Sequence, residues 1–562
     1  MRKKILFVSE RVTLAQLVRL VSLARSLDPR AYEVHLASAH FDDLVLGGTD
    51  FVRHPIHSVS PAYVDAALRA GRRIYRKSVL KRYVEEELAL FSRVEPDLVV
   101  GDFRLTLATS APLARVSYVA LANAYWSPYA IRRAFPVPDH PIVKLLGEAR
   151  AAKHFPKAVP FVFSHFAKPV NDLRRAHGLS PVGSLLEVLT HADHVLYADT
   201  PGLVPLAGAP ASHQFIGPVL WSPDLLLPAF WNAIDDTRPS VYVTLGSSGH
   251  LGALPMVIEA LAALPINVLV ATAGRCQLAD VPRNVHVADF LPGELAARRS
   301  SFVVSNGGSS TGYQALSEGV PVLGIPSNLD QYLAMTAIEN AGAGVLLKAR
   351  TLSVADLRRT ASRLLSSSRH RLAARRVQDD FAMWSYADRF RSLVASITAA
   401  APPPSPKTAV ATARTLVAAL AASAVLFGGA ARAQTSPAPP APPTPATNEI
   451  RFGSVVDENK GHVICALFRK EGWLKEPVQW KRAPIRERQA ECVFTSVTPD
   501  VYGISAFHDE NDNQKLDTNF LGIPTESWCT SRGAKAYFGP PSFDDAKFRY
   551  NGGVMRHRAD LR

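Results

Sequence analysis

Short apolar runs alternate with helix-spaced apolar positions along residues 1–400. Residues 4–8 form a short apolar run, and residues 14–27 then place apolar side chains at the three- and four-residue spacing of a helix face. Further apolar runs predict strands at residues 32–37, 97–101, 117–122, 194–197, 241–245, 268–271, 285–287, 302–304 and 322–325. Such alternation is typical of parallel sheets that helices cover on both faces.

The predicted strands fall into two series, which the tripeptide Trp221-Ser222-Pro223 separates. We therefore predict an α/β fold of two doubly wound, Rossmann-like lobes, the first over residues 1–220 and the second over residues 221–400. Two facing lobes of this type form a cleft at the carboxyl ends of their strands, where open α/β sheets bind ligands. We expect the functional site in that cleft.

Residues 448–562 show a period of two instead. Alternating apolar and polar positions predict strands at residues 463–468, 491–495 and 501–507, with Gly and Pro between them. Alternation of this kind is typical of antiparallel strands with one buried face. We predict a C-terminal antiparallel β-sandwich over residues 448–562.

A segment rich in proline and alanine, residues 401–447, joins the two regions. No Asp or Glu occurs between Asp388 and Glu449, which predicts a linker. Within it, residues 409–433 combine a basic start, the uncharged run 415–431 and the small-x-small end Ala431-Arg432-Ala433. That order is typical of a secretory signal or a membrane-inserted segment. An alanine-rich linker helix is the alternative.

Charge and length change this picture little. A chain of 562 residues exceeds the roughly 250–300 residues over which a single core grows, so several units are expected. The 63 Lys and Arg against 49 Asp and Glu give a net charge of +14, of which +10 falls in residues 1–400. The excess lacks the interleaved aromatic residues of a nucleic-acid site. We expect no nucleic-acid partner, and we assign the basic residues to positive-inside orientation and proximity to anionic membrane.

Cysteine usage divides the chain in the same way. Cys276 stands alone in the first 400 residues, whereas Cys465, Cys492 and Cys529 lie close together near the end. We expect a cytoplasmic large domain, anchored to the membrane by residues 409–431, and a periplasmic or extracellular small domain in which two cysteines pair. An internal signal of this kind indicates either a natural fusion or two joined reading frames.

Two glycine-rich turns of the second lobe follow predicted strands. Gly246, Ser247 and their neighbours end the strand at residues 241–245, and small residues there let backbone amides approach a phosphate. The strand at residues 302–304 leads to Asn306-Gly307-Gly308-Ser309-Ser310-Thr311 and then to a predicted helix. Strand, glycine turn and helix N-terminus together indicate an anion site. A helix merely capped by Ser or Thr is the alternative.

Residues 305–331 read SNGGSSTGYQALSEGVPVLGIPSNLDQ, and VYVTLGSSG (241–249), DLVVGDFR (97–104) and ANAYWSP (122–128) accompany them. These segments resemble the GT-B glycosyltransferases of the UDP-glycosyltransferase superfamily, which includes macrolide and carotenoid transferases. The resemblance implies that Gly307, Gly308, Ser309, Ser310 and Thr311 hold the donor diphosphate and that residues 289–292 face its base. It further implies that Asp330 and Gln331 bond sugar hydroxyls. A helix N-cap role for Asp330 is the alternative.

Three positions depart from that family pattern. Gln16 stands where the family carries a His as general base, Asn306 replaces the usual His of the diphosphate turn, and Gln314 replaces the usual ribose-binding Glu. A primary amide cannot take a proton at neutral pH, although it can still bond a phosphate or a hydroxyl. Asp102, at the carboxyl end of its strand, is the candidate replacement base. The alternative is that Asp102 caps a turn and pairs with Arg104.

The resemblance thus implies transfer of a hexose from a UDP-type donor to a hydroxyl of a small lipophilic acceptor. We expect a metal-independent, inverting reaction, because no Asp-x-Asp pair for a metal is apparent in residues 1–400. Two other functions stay open: a catalytically silent nucleotide-sugar-binding or regulatory protein, and a nucleotide-sugar 2-epimerase.

The small domain carries one further candidate site. Asp509, Asn511, Asn513 and Asp517 occupy positions 1, 3, 5 and 9 of a calcium loop, but Gln514 and Phe520 replace its Gly and Glu. A weak calcium site and a hairpin held by Asx turns are both open. Residues 450–552 resemble the bacterial exported domain-of-unknown-function family 2141, a resemblance that implies export and no chemistry.

Overall fold

The computed structural model of the chain forms two compact units, Met1–Thr412 and Ala413–Arg562. It describes residues 2–10, 12–61, 63–64, 67, 73–132, 134–137, 143, 147–223, 225–246, 249, 251–278, 280–399, 448–456, 459–517, 526–533 and 542–561. The predicted linker at 401–447 and the signal-like segment at 409–433 lie outside those residues. Among the helices that are described, none is long and apolar enough to cross a membrane.

The first lobe is built on a parallel sheet. Over the described residues its order is β3-β2-β1-β4-β5-β6-β7. These strands are β1 (Lys3–Ser9), β2 (Tyr32–Ser38), β3 (Val52–Pro55), β4 (Leu98–Asp102), β5 (Tyr118–Ala122), β6 (His194–Tyr197) and β7 (His213–Phe215). The accompanying helices are α1 (Leu14–Arg25), α2 (Asp43–Leu46), α3 (Lys77–Val94), α4 (Leu107–Ala114), α5 (Glu148–Ala176) and α6 (Leu185–Leu189).

The second lobe repeats the design with the parallel order β10-β9-β8-β11-β12-β13 over its described residues. Its strands are β8 (Ser240–Thr244), β9 (Asn267–Ala271), β10 (Val285–Ala288), β11 (Ser300–Ser305), β12 (Val322–Gly324) and β13 (Gly344–Leu346). Its helices are α7 (Leu254–Ala262), α8 (Gly293–Arg298), α9 (Ser309–Ser317), α10 (Leu329–Asn340), α11 (Val354–Ser366) and α12 (Ser368–Ala382). The predicted two-lobe α/β fold is confirmed.

The last helix of this unit, α13 (Tyr386–Ala399), belongs to the core of the first lobe. Phe390, Leu393 and Val394 are buried among the apolar side chains of β1 and α1, and the rings of Phe7 and Phe390 lie 6.0 Å apart. The chain therefore returns from the second lobe to the first before the unit ends. This return, with side chains of both lobes in one shared apolar cluster, makes the two lobes a single compact unit.

The second unit is a β-sandwich with one departure from the predicted pairing. Within the described residues, β14 pairs antiparallel with β17 but parallel with β21, while β15, β16, β18, β19 and β20 pair antiparallel. The elements are β14 (Glu449–Val455), β15 (His462–Phe468), β16 (Gln479–Pro484), β17 (Gln489–Thr495), β18 (Asp500–Asp509), β19 (Trp528–Thr530), α14 (Phe543–Ala546), β20 (Phe548–Tyr550) and β21 (Val554–Asp560). A disulfide between Cys465 and Cys492 joins β15 to β17, so it ties the two sheets together.

A fully buried ionic network fixes the segment that enters α3. The Arg104 guanidinium donates to Glu87 Oε1 at 2.7 Å and to Glu10 Oε2 at 3.0 Å, and all three side chains are at most 1% exposed. Tyr83 and Ser58 donate to the other Glu10 oxygen at 3.0 and 2.6 Å. Burying charges costs free energy unless each one is paired and hydrogen-bonded, so these residues depend on one another.

Removing Arg104 should therefore destabilise the large unit strongly. We expect Arg104→Met to lower the free energy of unfolding by about 3–5 kcal/mol, because it leaves Glu10 and Glu87 buried without a counter-charge. Urea unfolding followed by tryptophan fluorescence measures the change. Arg93→Met, an exposed change on α3, is the matched control and should stay within about 0.5 kcal/mol of the parent. A loss below about 1 kcal/mol in Arg104→Met would contradict the assignment.

Candidate active site

The predicted anion site forms at the carboxyl end of β11. Helix α9 begins directly after Gly308, whose missing side chain leaves the first-turn amides open. Gly307 has φ +78°, and a Cβ there would lie 3.3 Å from the carbonyl oxygen of Gln331. Ser310 is exposed, and Ser309 and Thr311 are half-buried. The turn thus combines backbone amides, hydroxyl side chains and the positive end of a helix dipole, which are groups that bind a diphosphate.

The other glycine turn lies beside this one. A Cβ on Gly246 would be 3.5 Å from Asn306 Nδ2, and Asn306 Oδ1 accepts from the Gly308 amide at 3.0 Å. Arg275 Nη1 donates to the carbonyls of Gly246 and Gly249, both at 2.9 Å. Ser247 lies outside the described residues. Asn306 therefore shapes the diphosphate turn through its own hydrogen bond, a role that needs no titratable ring.

The region predicted to face the base of the donor has one exposed ring. Phe290 is 44% exposed, whereas Asp289 is tied to Thr272 Oγ1 at 3.0 Å. Gln314 donates through Nε2 to the carbonyl of Trp221 at 3.1 Å, and its Oε1 lies against Gly293. Gln314 therefore holds the segment between the lobes through this hydrogen bond. Its side-chain carbonyl oxygen faces Gly293.

Asp330 and Gln331 have different surroundings. Asp330 is exposed in the first turn of α10, and its Oδ1 accepts from Trp126 Nε1 of the first lobe at 2.7 Å. Gln331 is buried, and its Oε1 accepts from the Ser327 amide and hydroxyl at 2.9 and 3.1 Å. The N-cap of α10 is Asn328, so the alternative cap role for Asp330 is wrong. Of these two residues, Asp330 is the exposed one and Gln331 is buried.

Gln16 caps its own helix. It is 7% exposed, and its Oε1 accepts from the amides of Val12 and Thr13, both at 3.0 Å. An amide used in this way holds the start of α1 but has no basic lone pair to offer a hydroxyl proton. Gln16 was predicted to lie at the catalytic position, and in this structure its side chain caps α1 instead.

Asp102 ends β4 and pairs with a residue that sequence reasoning missed. Arg19 Nε and Nη2 donate to the two carboxylate oxygens of Asp102 at 2.9 and 2.8 Å. Arg19 follows Gln16 by three residues on α1, and that helical spacing was the available signal. The alternative pairing of Asp102 with Arg104 is wrong, because the ion pairs of Arg104 are with Glu10 and Glu87.

Burial has the largest effect on the pKa of Asp102. It raises the pKa of Asp102 to about 6, although the charge and hydrogen bonds of Arg19 lower that pKa. The charge of Asp330 raises that pKa. A carboxyl group with a pKa near 6 is suited to accept a proton at neutral pH.

A chain of hydrogen bonds runs from Asp102 to the diphosphate helix. Arg19 Nη1 donates to Asn123 Oδ1 at 2.5 Å, and Asn123 Nδ2 donates to both oxygens of Asp199 at 3.3 Å. The Tyr313 hydroxyl, on α9, donates to Asp199 from the second lobe. Asp199 follows β6 as Asp102 ends β4, so the strand-end rule that selected Asp102 could have selected it too. Its partner Tyr313 carried no signal of that kind.

The candidate calcium loop is held by its own amides. Asp509 accepts from the amides of Asn513 and Gln514 at 3.0 and 2.8 Å, and Asp517 accepts from the side-chain amides of Asn511 and Asn513 at 2.6 and 2.9 Å. These contacts match the Asx-turn alternative. Among the described residues, no group of three or more His, Cys, Asp or Glu could hold a metal ion. The calcium site stays a prediction.

Two segments match known families. Residues 255–386 match the family described as "Erythromycin biosynthesis protein CIII-like, C-terminal domain". Residues 454–557 match "Uncharacterized protein conserved in bacteria (DUF2141)". The first match covers the diphosphate turn, Gln314, Asp330 and Gln331, and the second covers most of the β-sandwich.

The chain is similar to several mycobacterial proteins. The chain is 47% identical over 381 residues to a "PGL/p-HBAD biosynthesis glycosyltransferase" of Mycobacterium tuberculosis, covering 68% of this chain and 89% of the relative. It is equally identical over 381 residues to a "PGL/p-HBAD biosynthesis rhamnosyltransferase" of Mycobacterium bovis, covering 68% and 84%. An "Inactive PGL/p-HBAD biosynthesis glycosyltransferase" of Mycobacterium bovis is 45% identical over 261 residues, covering 46% and 71%.

Solved structures share the fold of the first unit. The spinosyn forosaminyltransferase SpnP superposes with a TM-score of 0.52 at 18% identity, covering 71% of this chain and 100% of that protein. The calicheamicin glycosyltransferase CalG4 gives 0.51 at 19%, covering 72% and 100%. The mycobacterial relatives of 47% identity, together with the two-lobe architecture, show that the chain belongs to the GT-B glycosyltransferases of the UDP-glycosyltransferase superfamily.

Proposed function

We propose that residues 1–400 transfer a hexosyl group from a pyrimidine nucleoside diphosphate, of the UDP or dTDP type, to a hydroxyl of a small lipophilic acceptor. One observation carries the proposal: helix α9 starts at a glycine without a side-chain cap, and a continuous chain of hydrogen bonds joins this helix to the buried carboxylate of Asp102. The relative named as a PGL/p-HBAD biosynthesis rhamnosyltransferase supports a sugar such as rhamnose.

In the proposed step the acceptor oxygen forms a bond to the anomeric carbon of the sugar. The bond from that carbon to the diphosphate oxygen breaks, and its electron pair leaves with the nucleoside diphosphate. The acceptor proton passes to Asp102, and attack opposite the leaving group inverts the anomeric centre. The first-turn amides and hydroxyls of α9 stabilise the departing charge, which is the contribution a metal ion makes elsewhere.

Turnover should be visible as release of the nucleoside diphosphate. We expect the full-length protein, given UDP- and dTDP-hexoses with pooled lipid extracts, to release UDP or dTDP. Asp102→Asn should lower kcat by at least a hundredfold, because the amide cannot take the proton. Asp97→Asn, just before the start of the same strand, is the matched control and should keep parental kcat. Absence of both release and nucleotide binding would contradict the proposal, and free monosaccharide formed without acceptor would indicate the 2-epimerase instead.

Donor binding should depend on the hydroxyls of the first turn of α9. We expect Ser310→Ala/Thr311→Val to weaken binding of UDP or dTDP at least tenfold, because each hydrogen bond to a charged phosphate contributes about 1.5–3 kcal/mol. Isothermal titration calorimetry measures the dissociation constant. Ser317→Ala, at the other end of the same helix, is the control and should bind normally. Equal affinity in the double variant would place the diphosphate elsewhere.

A catalytically silent nucleotide-sugar-binding protein is the second candidate function. Two contacts favour it: Gln16 is consumed as a helix cap, and both oxygens of Asp102 already accept hydrogen bonds from Arg19. A relative that carries the word "Inactive" in its name supports it as well. Normal nucleotide affinity without turnover in the parent, unchanged by Asp102→Asn, would favour this second function.

We also propose that the two units work in different compartments, the first in the cytoplasm and the second outside it. The supporting observation is that the disulfide Cys465–Cys492 lies in the second unit, while Cys276 is the sole cysteine of residues 1–400. Thiol labelling of cells followed by mass spectrometry should find Cys276 reduced, Cys465 and Cys492 oxidised, and a product cut after Ala433. An intact, fully reduced 60.9 kDa chain in the cytoplasm would contradict this arrangement.

A further inference from the structure

One guanidinium of the cleft has no part in the step described above. The Arg19 side chain is 14% exposed, and it contacts Asp102 with two of its nitrogens and Asn123 with the third. A bidentate arginine–carboxylate pair fixes the plane of the carboxylate as well as its charge. The pair occupies one lone pair on each carboxylate oxygen. Arg19 is the more exposed partner, at 14% against 1% for the Asp102 side chain.

We propose that Arg19 is a positioning residue for glycosyl transfer, which holds Asp102 toward the acceptor hydroxyl and joins it to the helix that binds the donor diphosphate. The proposal rests on the proposed function, because it takes Asp102 as the group that receives the acceptor proton. Arg19 itself acts through Asp102 and not on the reacting atoms.

The connection to the donor follows from the hydrogen bonds beyond Asn123. Asp199 accepts from the Ala124 amide at 2.5 Å in addition to Asn123, and Tyr313 of α9 completes its surroundings. Asp199 is fully buried, so each of these donors matters for its stability there. Tyr313 lies one turn beyond Ser309, in the helix whose first turn forms the diphosphate site. Three side chains, those of Tyr313, Asp199 and Asn123, therefore connect that helix to Arg19.

Charged and titratable groups face Asp102 from three packed elements: Arg19 from α1, Asp330 from α10, and Tyr118 from β5. Burial and the Asp330 charge raise the pKa of Asp102, and Arg19 lowers it. A general base works when it is deprotonated, so activity should fall as pH falls through that pKa. Loss of the Arg19 charge raises the pKa further, and the acid limb of the pH–rate profile should then move to higher pH.

The experiment compares Arg19→Gln, Arg19→Lys and the matched control Arg25→Gln, on the exposed side of the same helix. For the full-length parent we expect an acid limb with an apparent pKa near 6. Arg19→Gln should move that limb up by about one to three pH units and lower kcat at least tenfold. Arg19→Lys keeps the positive charge but loses the planar guanidinium. The acid limb of its pH–rate profile should therefore stay near the parental pH, while kcat still falls. Arg25→Gln should match the parent.

Measurements of stability distinguish a positioning role of Arg19 from a role in compensating the charge of Asp102. In Arg19→Gln the Asp102 carboxylate is buried without a partner at pH 8, so the melting temperature should fall, and adding Asp102→Asn should restore it. We expect Arg19→Gln/Asp102→Asn to recover stability but not turnover. Recovery of turnover in that double variant, or an unmoved acid limb with parental kcat in Arg19→Gln, would overturn the proposal. Absence of turnover in the parent would instead contradict the proposed function.

Discussion

The structure of the large unit depends on pairing carboxylates that the fold buries. Glu10, Glu87, Asp102 and Asp199 are each at most 1% exposed, and each lies at or beside the carboxyl end of a first-lobe strand or on the helix packed there. A buried carboxylate is stable only with charged or hydrogen-bonding partners around it. Arg104 supplies them for the first two, Arg19 for the third, and Asn123 with Tyr313 for the fourth. Lobe geometry and site chemistry thus follow from the same requirement.

Helix α9 serves both the site and the joint between the lobes. Its open N-terminus faces the proposed diphosphate site, and Tyr313, one turn later, donates to Asp199 of the first lobe. Trp126 makes a second polar link by donating to Asp330. Because α13 also returns to the first-lobe core, the lobes are connected at the cleft and behind it. The proposed donor-binding surface is therefore built with the inter-lobe contacts and not independently of them.

The second unit stands apart in both chemistry and stabilisation. Its core is small, and a disulfide joins its two sheets where the large unit uses extensive apolar packing. In its acidic turn at residues 509–517, the carboxylate oxygens accept hydrogen bonds from backbone and side-chain amides. The parallel pairing of β14 with β21 brings the first and last strands of the unit together, which a short-range alternation pattern cannot indicate.

The sequence by itself determined the two parallel-sheet lobes, because short apolar runs and helical spacing are local signals. It also predicted the glycine turn at the start of α9, since Gly307 and the residues after it favour one backbone path, and it predicted that Asp102 lies at a strand end. The apolar pattern did not predict edge strands such as β3 and β7, because they are short and lack buried apolar runs. Only the tertiary structure decided that Arg19, not Arg104, pairs with Asp102, and that Asn328, not Asp330, caps α10. Those pairings join residues far apart in the chain or choose between neighbouring side chains, and no local pattern encodes which buried charge finds which partner.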